Sequence, residues 1–343
     1  MNSNPYLFRL AVIGTGAWAQ HIHYPAITYL QQHPPAGVEL RLRGVCSLDP
    51  DTAQRIADQY GFERVYADLD ALVADPEVDA VAVIVGPGPL PQVLDRLAPK
   101  GVPILTEKPP GPNSHVTEQL ARTITVPHVV AFNRRFAPMN VRFKACVAAM
   151  TEPFFVEARF CRHGRLQSDF VRETGIHLLN FLMDCLGPIA RARTSRLPHP
   201  TAATFNWVVD VAFASGLPGR LQIFPSSGRH TEEIDVHGPS ETVSLRAAEP
   251  RVPRGHVKVT RVPAVPPPGS NVKIRPNVTE WFTDEPGTSH LLSCGFVAEY
   301  EELIAIARGV RESRSTLATS IETMRLAEAI EAGRDYVREP ISE

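Results

Sequence analysis

A glycine-rich turn near the start of the chain restricts the fold more than any other feature. Residues 14–19, Gly-Thr-Gly-Ala-Trp-Ala, follow a short apolar run and precede a run with helical character. In a G-x-G-x-x-[G/A] pattern, the first glycine allows a tight turn and the second lets a pyrophosphate approach the backbone. The phosphates then rest on the N-terminus of the next helix. The pattern predicts a dinucleotide site formed by Gly14, Thr15, Gly16, Ala17 and Trp18.

Alternating strands and helices follow the glycine turn. The runs LRLRGVCS, DAVAVIVG, VPILTEK and HVVAFN are typical of buried strands, and helical segments separate most of them. Asp49 and Pro50 supply the N-cap and the first position of one such helix. Repeated units of this kind predict an α/β fold, a Rossmann domain with a doubly wound parallel sheet. Because 343 residues exceed the size of a single core, we expect two domains, residues 1–136 and 137–343.

The composition argues against several classes of protein. A formal net charge of -2, from 35 basic and 37 acidic residues, gives no reason to expect a nucleic-acid partner. The five cysteines are scattered without the spacing of metal ligands, so no metal site is expected. The sequence has neither an apolar run long enough to span a membrane nor a basic leader with a cleavage site. We therefore expect a cytoplasmic protein with reduced thiols and no membrane partner.

The end of the second predicted strand bears on the choice of cofactor. An acid at this position usually holds the 2′-hydroxyl of the ribose, but here the position holds Ser47. Without a carboxylate to repel it, a 2′-phosphate is acceptable, which favours NADP(H) over NAD(H). Asp49 lies two residues further on and remains the alternative ligand for the ribose of NAD.

A polar stripe runs along a predicted helix that is otherwise apolar. Its members are Glu173, His177, Asn180 and Asp184, at spacings of four, three and four residues, which place them on one face. The pair Gly187-Pro188 is expected to end the helix. A buried stripe needs partners, and two interpretations stay open. The stripe either faces water or closes its own hydrogen bonds, or it contacts a substrate.

Five stretches, in order along the chain, resemble the Gfo/Idh/MocA family of oxidoreductases. They are Glu107-Lys108-Pro109 after a strand, AFNRRFAP at 131–138, GIHLLNFLMDCLG at 175–187, and the helical runs GFVAEYEELIAIARG and TMRLAEAIEAG. The resemblance implies that residues 137–343 form an α+β domain for substrate binding and oligomerisation. That domain would contain a large, open, mainly antiparallel sheet whose far face mediates homodimers or homotetramers. The Pro-rich segment 249–286 is expected to be a long surface excursion.

The resemblance also implies an activity and a set of site residues. Members typically oxidise a sugar or polyol hydroxyl, or reduce the ketone, with a nicotinamide cofactor carrying the hydride. Lys108 and His177 are then candidates to hold the proton, and Glu173 stands where relatives carry aspartate. Lysine supplies only five of the 35 basic residues, which makes Lys108 a poor candidate for a mere surface charge. Further predicted contacts are Pro87, Glu107 and Lys108 for the cofactor, and Asn180, Arg162 and Arg135 for the substrate.

Other interpretations accompany this prediction. The loop at 86–91 lacks the polar residues that relatives carry, which leaves reduction of a non-sugar C=N or conjugated bond as an alternative activity. A non-catalytic NAD(P)-binding sensor or scaffold is a second alternative. Arg162 lies in the basic run CRHGR, which is typical either of a solvated surface or of a site for an anionic substrate. His23 in the first helix is expected to be structural.

Overall fold

The computed structural model describes residues 4–200, 202–248, 254–262, 275–283 and 289–338. The chain divides into two compact units, Met1–Asn133 with Gly295–Ile321, and Arg134–Cys294 with Glu322–Glu343. The predicted boundary after residue 136 lies three residues from this division. The return of Gly295–Ile321 to the first unit differs from the prediction, which placed that segment in the second domain.

Six parallel strands form the sheet of the first unit. They are β1 (Tyr6–Ile13), β2 (Val38–Cys46), β3 (Val65–Tyr66), β4 (Ala80–Val83), β5 (Ile104–Thr106) and β6 (His128–Val130). Their order across the sheet is β3-β2-β1-β4-β5-β6. The last four residues of the central strand β1 are all buried, as expected for a parallel strand that is covered on both faces. The predicted doubly wound Rossmann sheet is confirmed.

The helices of the first unit begin where the sequence supplies caps. They are α1 (Tyr24–Gln32), α2 (Pro50–Tyr60), α3 (Leu69–Ala74), α4 (Leu90–Leu97) and α5 (Ser114–Thr123). At α2, the Asp49 side chain accepts a hydrogen bond from the amide of Thr52, and Pro50 occupies the first helical position. Gly61 ends this helix with a φ of 76°, a conformation that favours glycine.

Nine strands form the sheet of the second unit. They are β7 (Phe155–Cys161), β8 (Ile189–Pro198), β9 (Phe205–Phe213), β10 (Pro218–Phe224), β11 (Thr231–His237), β12 (Glu241–Arg246), β13 (His256–Arg261), β14 (Asn277–Phe282) and β15 (Tyr336–Val337). Their order is β14-β13-β12-β11-β7-β10-β9-β8-β15, and all neighbours are antiparallel except β10 and β7. The predicted large, mainly antiparallel sheet is confirmed.

Alternation along the strands places the core on one face of this sheet. In β9, Trp207, Val209, Val211 and Phe213 are buried, and the residues between them are more exposed. The buried side chains pack with residues of α6 (Pro138–Ala148), α7 (Ile176–Leu186) and α10 (Leu317–Ala332). A short helix, α8 (His290–Ser293), precedes α9 (Phe296–Ala307), which belongs to the first unit.

The prediction of a surface excursion at 249–286 is wrong for part of that segment. Strands β13 and β14 lie within it and pair with each other, and β13 also pairs with β12. Val257 and Val259 are buried, so the run HVKVTR alternates as a half-buried strand does. Residues 249–253, 263–274 and 284–286 of the segment lie outside the described residues.

Within the ranges that the structure describes, no helix combines the length and the apolar character needed to cross a membrane.

Candidate active site

The glycine turn connects β1 to a π-helical turn, Ala19–His23, that continues into α1. A Cβ atom on Gly14 would lie 2.2 Å from the carbonyl oxygen of Ile84, and its φ is +106°, so the position requires glycine. At Gly16, no described atom lies within 4 Å of the position that a Cβ would take. Gly16, Ala17 and Trp18 are exposed, whereas Thr15 is buried. The open backbone at Gly16 therefore fits the approach of a dinucleotide's phosphates.

Ser47 lies directly after β2, at the predicted ribose position. Its Oγ lies 2.7 Å from Oγ1 of Thr15 and accepts a hydrogen bond from the amide of Asp49 at 3.2 Å. The Asp49 carboxylate is engaged at the start of α2, where it accepts from the amide and the hydroxyl of Thr52. These bonds lower the pKa of the Asp49 carboxyl. Ser47 is thus the side chain at the strand end that borders the glycine turn.

The loop after β4 approaches the glycine turn through its backbone. The amide of Ile84 donates to the carbonyl of Ile13, and the Ile84 carbonyl is the atom closest to the ideal Cβ position at Gly14. Pro87 follows in this loop and is half-buried. Proline has no N–H, so Pro87 can offer a cofactor only its carbonyl and its ring.

Glu107, directly after β5, connects several parts of the first unit. Its Oε1 accepts from Nε1 of Trp18 at 2.9 Å and lies 2.7 Å from Nε2 of His23, while its Oε2 accepts from the amide of Lys108 at 2.9 Å. The residue is 8% exposed. Burial alone would raise the pKa of its carboxyl, but the hydrogen bond with His23 and the charges of His23 and Lys108 hold it below its ordinary value. Both carboxylate oxygens of Glu107, a residue predicted to contact the cofactor, have hydrogen-bond partners inside the unit.

Lys108 lies between this carboxylate and Pro109, to which it is joined by a cis peptide bond. The residue is half-buried, unlike a fully solvated loop lysine. Two tyrosines that the sequence analysis missed form hydrogen bonds with residues of the same region. The Tyr24 hydroxyl donates to the carbonyl of Gly14 at 2.6 Å, and the Tyr300 hydroxyl lies 2.8 Å from Nδ1 of His23. The one sequence signal that included Tyr300 was the resemblance of the helical run GFVAEYEELIAIARG to the family.

The predicted polar stripe in the second unit begins in a π-helical turn, Val171–Gly175, that continues into α7. Glu173 lies in the π turn and is half-buried, and His177, in α7, is 9% exposed. Gly187 ends the helix, as predicted. Such turns interrupt the regular spacing of a helix and often occur at functional sites.

The second half of the stripe closes its own hydrogen bonds. The Asn180 Oδ1 accepts from Nε of Arg135 at 2.6 Å, and its Nδ2 donates to Oγ1 of Thr323 at 3.2 Å. Arg135 and Lys144 also form ion pairs with Asp184 at 3.2 and 2.8 Å. The structure therefore gives Asn180 and Arg135, both predicted to contact substrate, partners within the unit.

The interpretation of Arg162 as a solvated surface residue is wrong. Arg162 is 5% exposed and pairs with Glu232 at 3.1 Å, and Arg134 pairs with the same carboxylate oxygen at 3.1 Å. The guanidinium also lies over the ring of Phe160, 3.7 Å from its centroid. The sequence analysis missed Glu232, although the alternation of β11 places it on the same face as Ile234 and Val236, both buried.

Metal-ligand geometry is not found in the part of the chain that the structure describes: no three His, Cys, Asp or Glu side chains there are grouped so as to hold an ion. All five cysteines are free thiols. The pKa of the Cys185 thiol is raised by burial, which keeps it protonated and unreactive.

Comparison with known proteins connects this geometry to a family. The Gfo/Idh/MocA family model, described as an oxidoreductase family with an NAD-binding Rossmann fold, matches residues 8–133. A D-apiose dehydrogenase of Rhizobium rhizogenes is 27% identical over 236 residues, which are 60% of this chain and 66% of that protein. The chain thus spans about two thirds of this curated relative.

Solved structures share the fold of the whole chain. A levoglucosan dehydrogenase, solved in complex with NADH and L-sorbose, is 16% identical with a TM-score of 0.82, over 98% of this chain and 100% of that one. A putative myo-inositol dehydrogenase from Sinorhizobium meliloti is 19% identical with a TM-score of 0.73, over 96% and 99%. Residues 8–133 thus match the Gfo/Idh/MocA family of NAD-binding oxidoreductases, and the chain shares its fold with these solved dehydrogenases.

Proposed function

We propose that this oxidoreductase transfers a hydride between NAD(P) and an alcohol or ketone of a sugar-like or polyol substrate. The observation that carries the proposal is the half-buried Lys108, whose amide is held by the Glu107 carboxylate that also binds Trp18 of the glycine turn. The names of the relatives, D-apiose and levoglucosan dehydrogenases, support a carbohydrate as the substrate class.

The residues of the chain would supply binding and proton transfer. A nicotinamide cofactor, when bound, carries the hydride. The residues that would hold it are the glycine turn, Ser47 and the backbone of the loop at 84–89. A substrate alcohol is a very weak acid, so a proton acceptor must lie within hydrogen-bond reach of its oxygen. Lys108 and His177 are the proposed acid and base, and Glu173 is the proposed orienting carboxylate.

NADP(H) is the proposed cofactor, in preference to NAD(H). The support is local: Ser47 takes the place of the usual acid, and the Asp49 carboxylate is engaged by Thr52 at the start of α2. Arg55 lies nearby and donates to the Thr52 hydroxyl. Titration with NADPH and NADH, followed by nicotinamide fluorescence, measures the preference. Tighter NADH binding would reverse this assignment, and binding of neither would overturn the proposed function.

Lys108→Ala tests the proposed reaction. We expect turnover to fall about 10²- to 10⁴-fold, the usual contribution of a positioned acid or base, with cofactor affinity close to that of the parent protein. Turnover is measured on a panel of sugars and polyols, and on the corresponding ketones in the reductive direction. Lys100→Ala is the matched control, because Lys100 lies in the same unit and bonds to the carbonyls of Val73 and Asp75. Unchanged turnover in Lys108→Ala would remove Lys108 from the mechanism.

Copies of the chain are proposed to associate through the face of the nine-stranded sheet opposite the core. Arg220 and Asp210 form an ion pair on that face, and each side chain is about half exposed. Charges of both signs on one surface can pair with the same surface of a second copy related by a two-fold axis. Light scattering on the purified protein should give a dimer or tetramer, and Arg220→Glu should weaken it. A monomer at micromolar concentration would refute this proposal.

A further inference from the structure

A chain of hydrogen bonds leads from helix α9 to the backbone of Lys108. We propose that Tyr300 and His23 are positioning residues, which act through the Glu107 carboxylate to fix Lys108. The inference rests on the proposed function, since it assigns these residues a role only if Lys108 takes part in proton transfer. None of these side chains needs to touch the substrate for this role.

The three linking side chains are buried and closely spaced. The Tyr300 hydroxyl lies 2.8 Å from Nδ1 of His23, and Nε2 of His23 lies 2.7 Å from the Glu107 carboxylate. Tyr300 and His23 are each 1% exposed. The Tyr300 and His23 rings also meet edge to face, with centroids 5.8 Å apart. Buried groups that form short hydrogen bonds and are shielded from solvent have little freedom to move. Tyr300 and His23 therefore fix the position of the Glu107 carboxylate.

The proton positions in this chain follow from the chemistry of its members. The pKa of the Tyr300 phenol is raised well above its ordinary value, first by burial and then by the charges of Glu299 and Glu107, with a smaller effect of Tyr24. Tyr300 therefore stays protonated and can donate. A carboxylate only accepts, so His23 donates to it from Nε2 and, when neutral, accepts from Tyr300 at Nδ1. Each polar hydrogen then has one acceptor, and a single imidazole tautomer satisfies both neighbours.

The carboxylate acts on two parts of the candidate site at once. Its Oε2 holds the amide of Lys108, and its Oε1 holds the indole of Trp18 in the glycine turn. One side chain thus couples the turn that fits the dinucleotide phosphates to the lysine proposed to move a proton. Reacting groups tolerate little displacement, since an error of about 1 Å can lower a rate about 10²-fold. The negative charge also attracts the Lys108 ammonium.

A purely structural role would give a different result. If the chain only stabilised the fold, its variants would lose stability while Lys108 in the folded protein kept its chemical environment. The chemical environment of Lys108 can be measured because the sequence has only five lysines, whose labelling can be followed separately. Each can be followed by competitive labelling with an amine reagent over a range of pH, and the other lysines serve as internal controls.

The experiment compares His23→Leu, His23→Gln and Tyr300→Phe in the full chain. Glutamine keeps a side-chain N–H that can donate to Glu107, whereas leucine does not. Tyr66→Phe is the control, because Tyr66 is a buried tyrosine of the same unit whose hydroxyl donates to Asp75. Glu107→Gln removes the charge itself. Since a nearby anion favours the ammonium form, the labelling of Lys108 should begin at lower pH in Glu107→Gln. In His23→Leu the anion remains but loses the donor that positions it, so the labelling profile of Lys108 should shift from that of the parent protein.

Turnover and cofactor binding complete the test. We expect kcat to fall about 10- to 100-fold in His23→Leu, with partial recovery in His23→Gln, a smaller fall in Tyr300→Phe, and no change in Tyr66→Phe. NADPH and NADH affinities and KM should change less than kcat. An unchanged Lys108 labelling profile in both His23→Leu and Tyr300→Phe would overturn the inference, as would a His23→Gln variant no better than His23→Leu.

Failure of the proposed function gives a separate result. Labelling requires no substrate. If the variants shift the labelling profile of Lys108 but the parent protein turns over no alcohol or ketone, the proposed function is refuted and the positioning role of Tyr300 and His23 is retained. Tyr300→Phe preserves the ring and its packing, and it keeps the inference testable if His23→Leu does not fold.

Discussion

Glu107 in the first unit and Glu232 in the second are both buried carboxylates, and their partners differ in kind. Glu107 accepts from an indole, an imidazole and a backbone amide. Glu232 accepts from the guanidinium groups of Arg134 and Arg162. In both, burial alone would raise the pKa of the carboxyl, and the partners hold it below the ordinary value. The same ionisation state is therefore reached by two routes.

The difference teaches what each carboxylate can do. Two permanent cations more than neutralise Glu232, which leaves a cluster suited to holding the β7 and β11 strands and the segment after β6 together. The hydrogen-bond donors of Glu107, in contrast, are an indole, an imidazole and a backbone amide, none of which carries a permanent charge that would cancel the charge of the carboxylate. Glu107 thus keeps a negative charge beside Lys108, whereas Glu232 has none to offer. We interpret the Glu232 cluster as structural and the Glu107 cluster as a support for chemistry.

Removing each charge should separate the two roles most clearly. Glu232→Gln leaves two buried guanidinium groups without their carboxylate, and we expect the free energy of unfolding to fall by about 3 to 5 kcal/mol. Glu107→Gln loses hydrogen bonds to a charged group, and the expected loss is about 1.5 to 3 kcal/mol. Urea denaturation measures both. Glu233→Gln, the next residue on the opposite face of β11, is the control. A greater loss in Glu107→Gln than in Glu232→Gln would contradict the comparison.

A second prediction follows from the presence of two arginines around the single carboxylate of Glu232. Arg162→Met leaves one arginine and one carboxylate, a neutral buried pair, so its cost should be smaller than that of Glu232→Gln, about 1 to 3 kcal/mol. Adding Arg134→Met leaves the carboxylate alone, and the double variant should lose more than the sum of the single variants, with a coupling of up to about 3 kcal/mol. Additive losses in denaturant unfolding would show that the three groups do not act as one cluster.

Acid should destabilise the protein before either glutamate is protonated. Burial lowers the pKa of His128 below its ordinary 6.5, although the bond with the Val126 carbonyl opposes the shift. Its Nε2 accepts from the amide of Leu317 at 2.9 Å. The unfolded chain therefore binds a proton that the folded His128 resists, and stability falls as pH falls below 6.5, by at most about 1.4 kcal/mol per pH unit. The lowered glutamates add to the loss only below their ordinary value of 4.5.

His128→Gln isolates this contribution. Between pH 6.5 and 5, the unfolding free energy of the variant should depend less on pH than that of the parent, as thermal melts at several pH values would show. An equal slope in the two proteins would assign the acid sensitivity to other groups.

An exposed ion pair gives the smallest expected effect and a baseline for the buried clusters. Arg96 and Asp70 lie 2.6 Å apart, with side chains that are 51% and 78% exposed. Solvent and salt screen such a pair, so Arg96→Ala should leave the free energy of unfolding close to that of the parent protein. A loss comparable to that of Glu232→Gln would mean that burial is not what separates these charges.

The sequence predicted the elements whose signals are local. The glycine turn, the βα alternation, the cap at Asp49 and the end of the helix at Gly187 each depend on neighbouring residues, and each is confirmed. The position of Ser47 after β2 followed from the same reasoning. These features need no knowledge of distant contacts, which explains why a single sequence was sufficient.

Features that depend on distant pairing were missed. Apolar periodicity shows that α9 is buried, but it does not show which unit covers it, so the return of Gly295–Ile321 was not foreseen. The basic run at 161–165 suggested solvent exposure, which holds for His163 and Arg165 but not for Arg162, whose partner Glu232 is 70 residues away in the sequence. The two π turns, at Ala19–His23 and Val171–Gly175, also escaped prediction, since an apolar pattern does not distinguish them from regular helix.

The return of α9 also has a consequence for synthesis on the ribosome. Tyr300 is 277 residues after His23, the imidazole to which it bonds. At about 5 to 20 residues per second, the partner emerges roughly 14 to 55 s later. During that interval the nascent Rossmann strands lack helix α9, and strands β7 to β14 of the second unit are synthesised in between. The first unit is therefore completed only when Ile321 has emerged, shortly before the segment Glu322–Glu343 completes the second unit, and its early strands are the ones that a chaperone would need to shield longest.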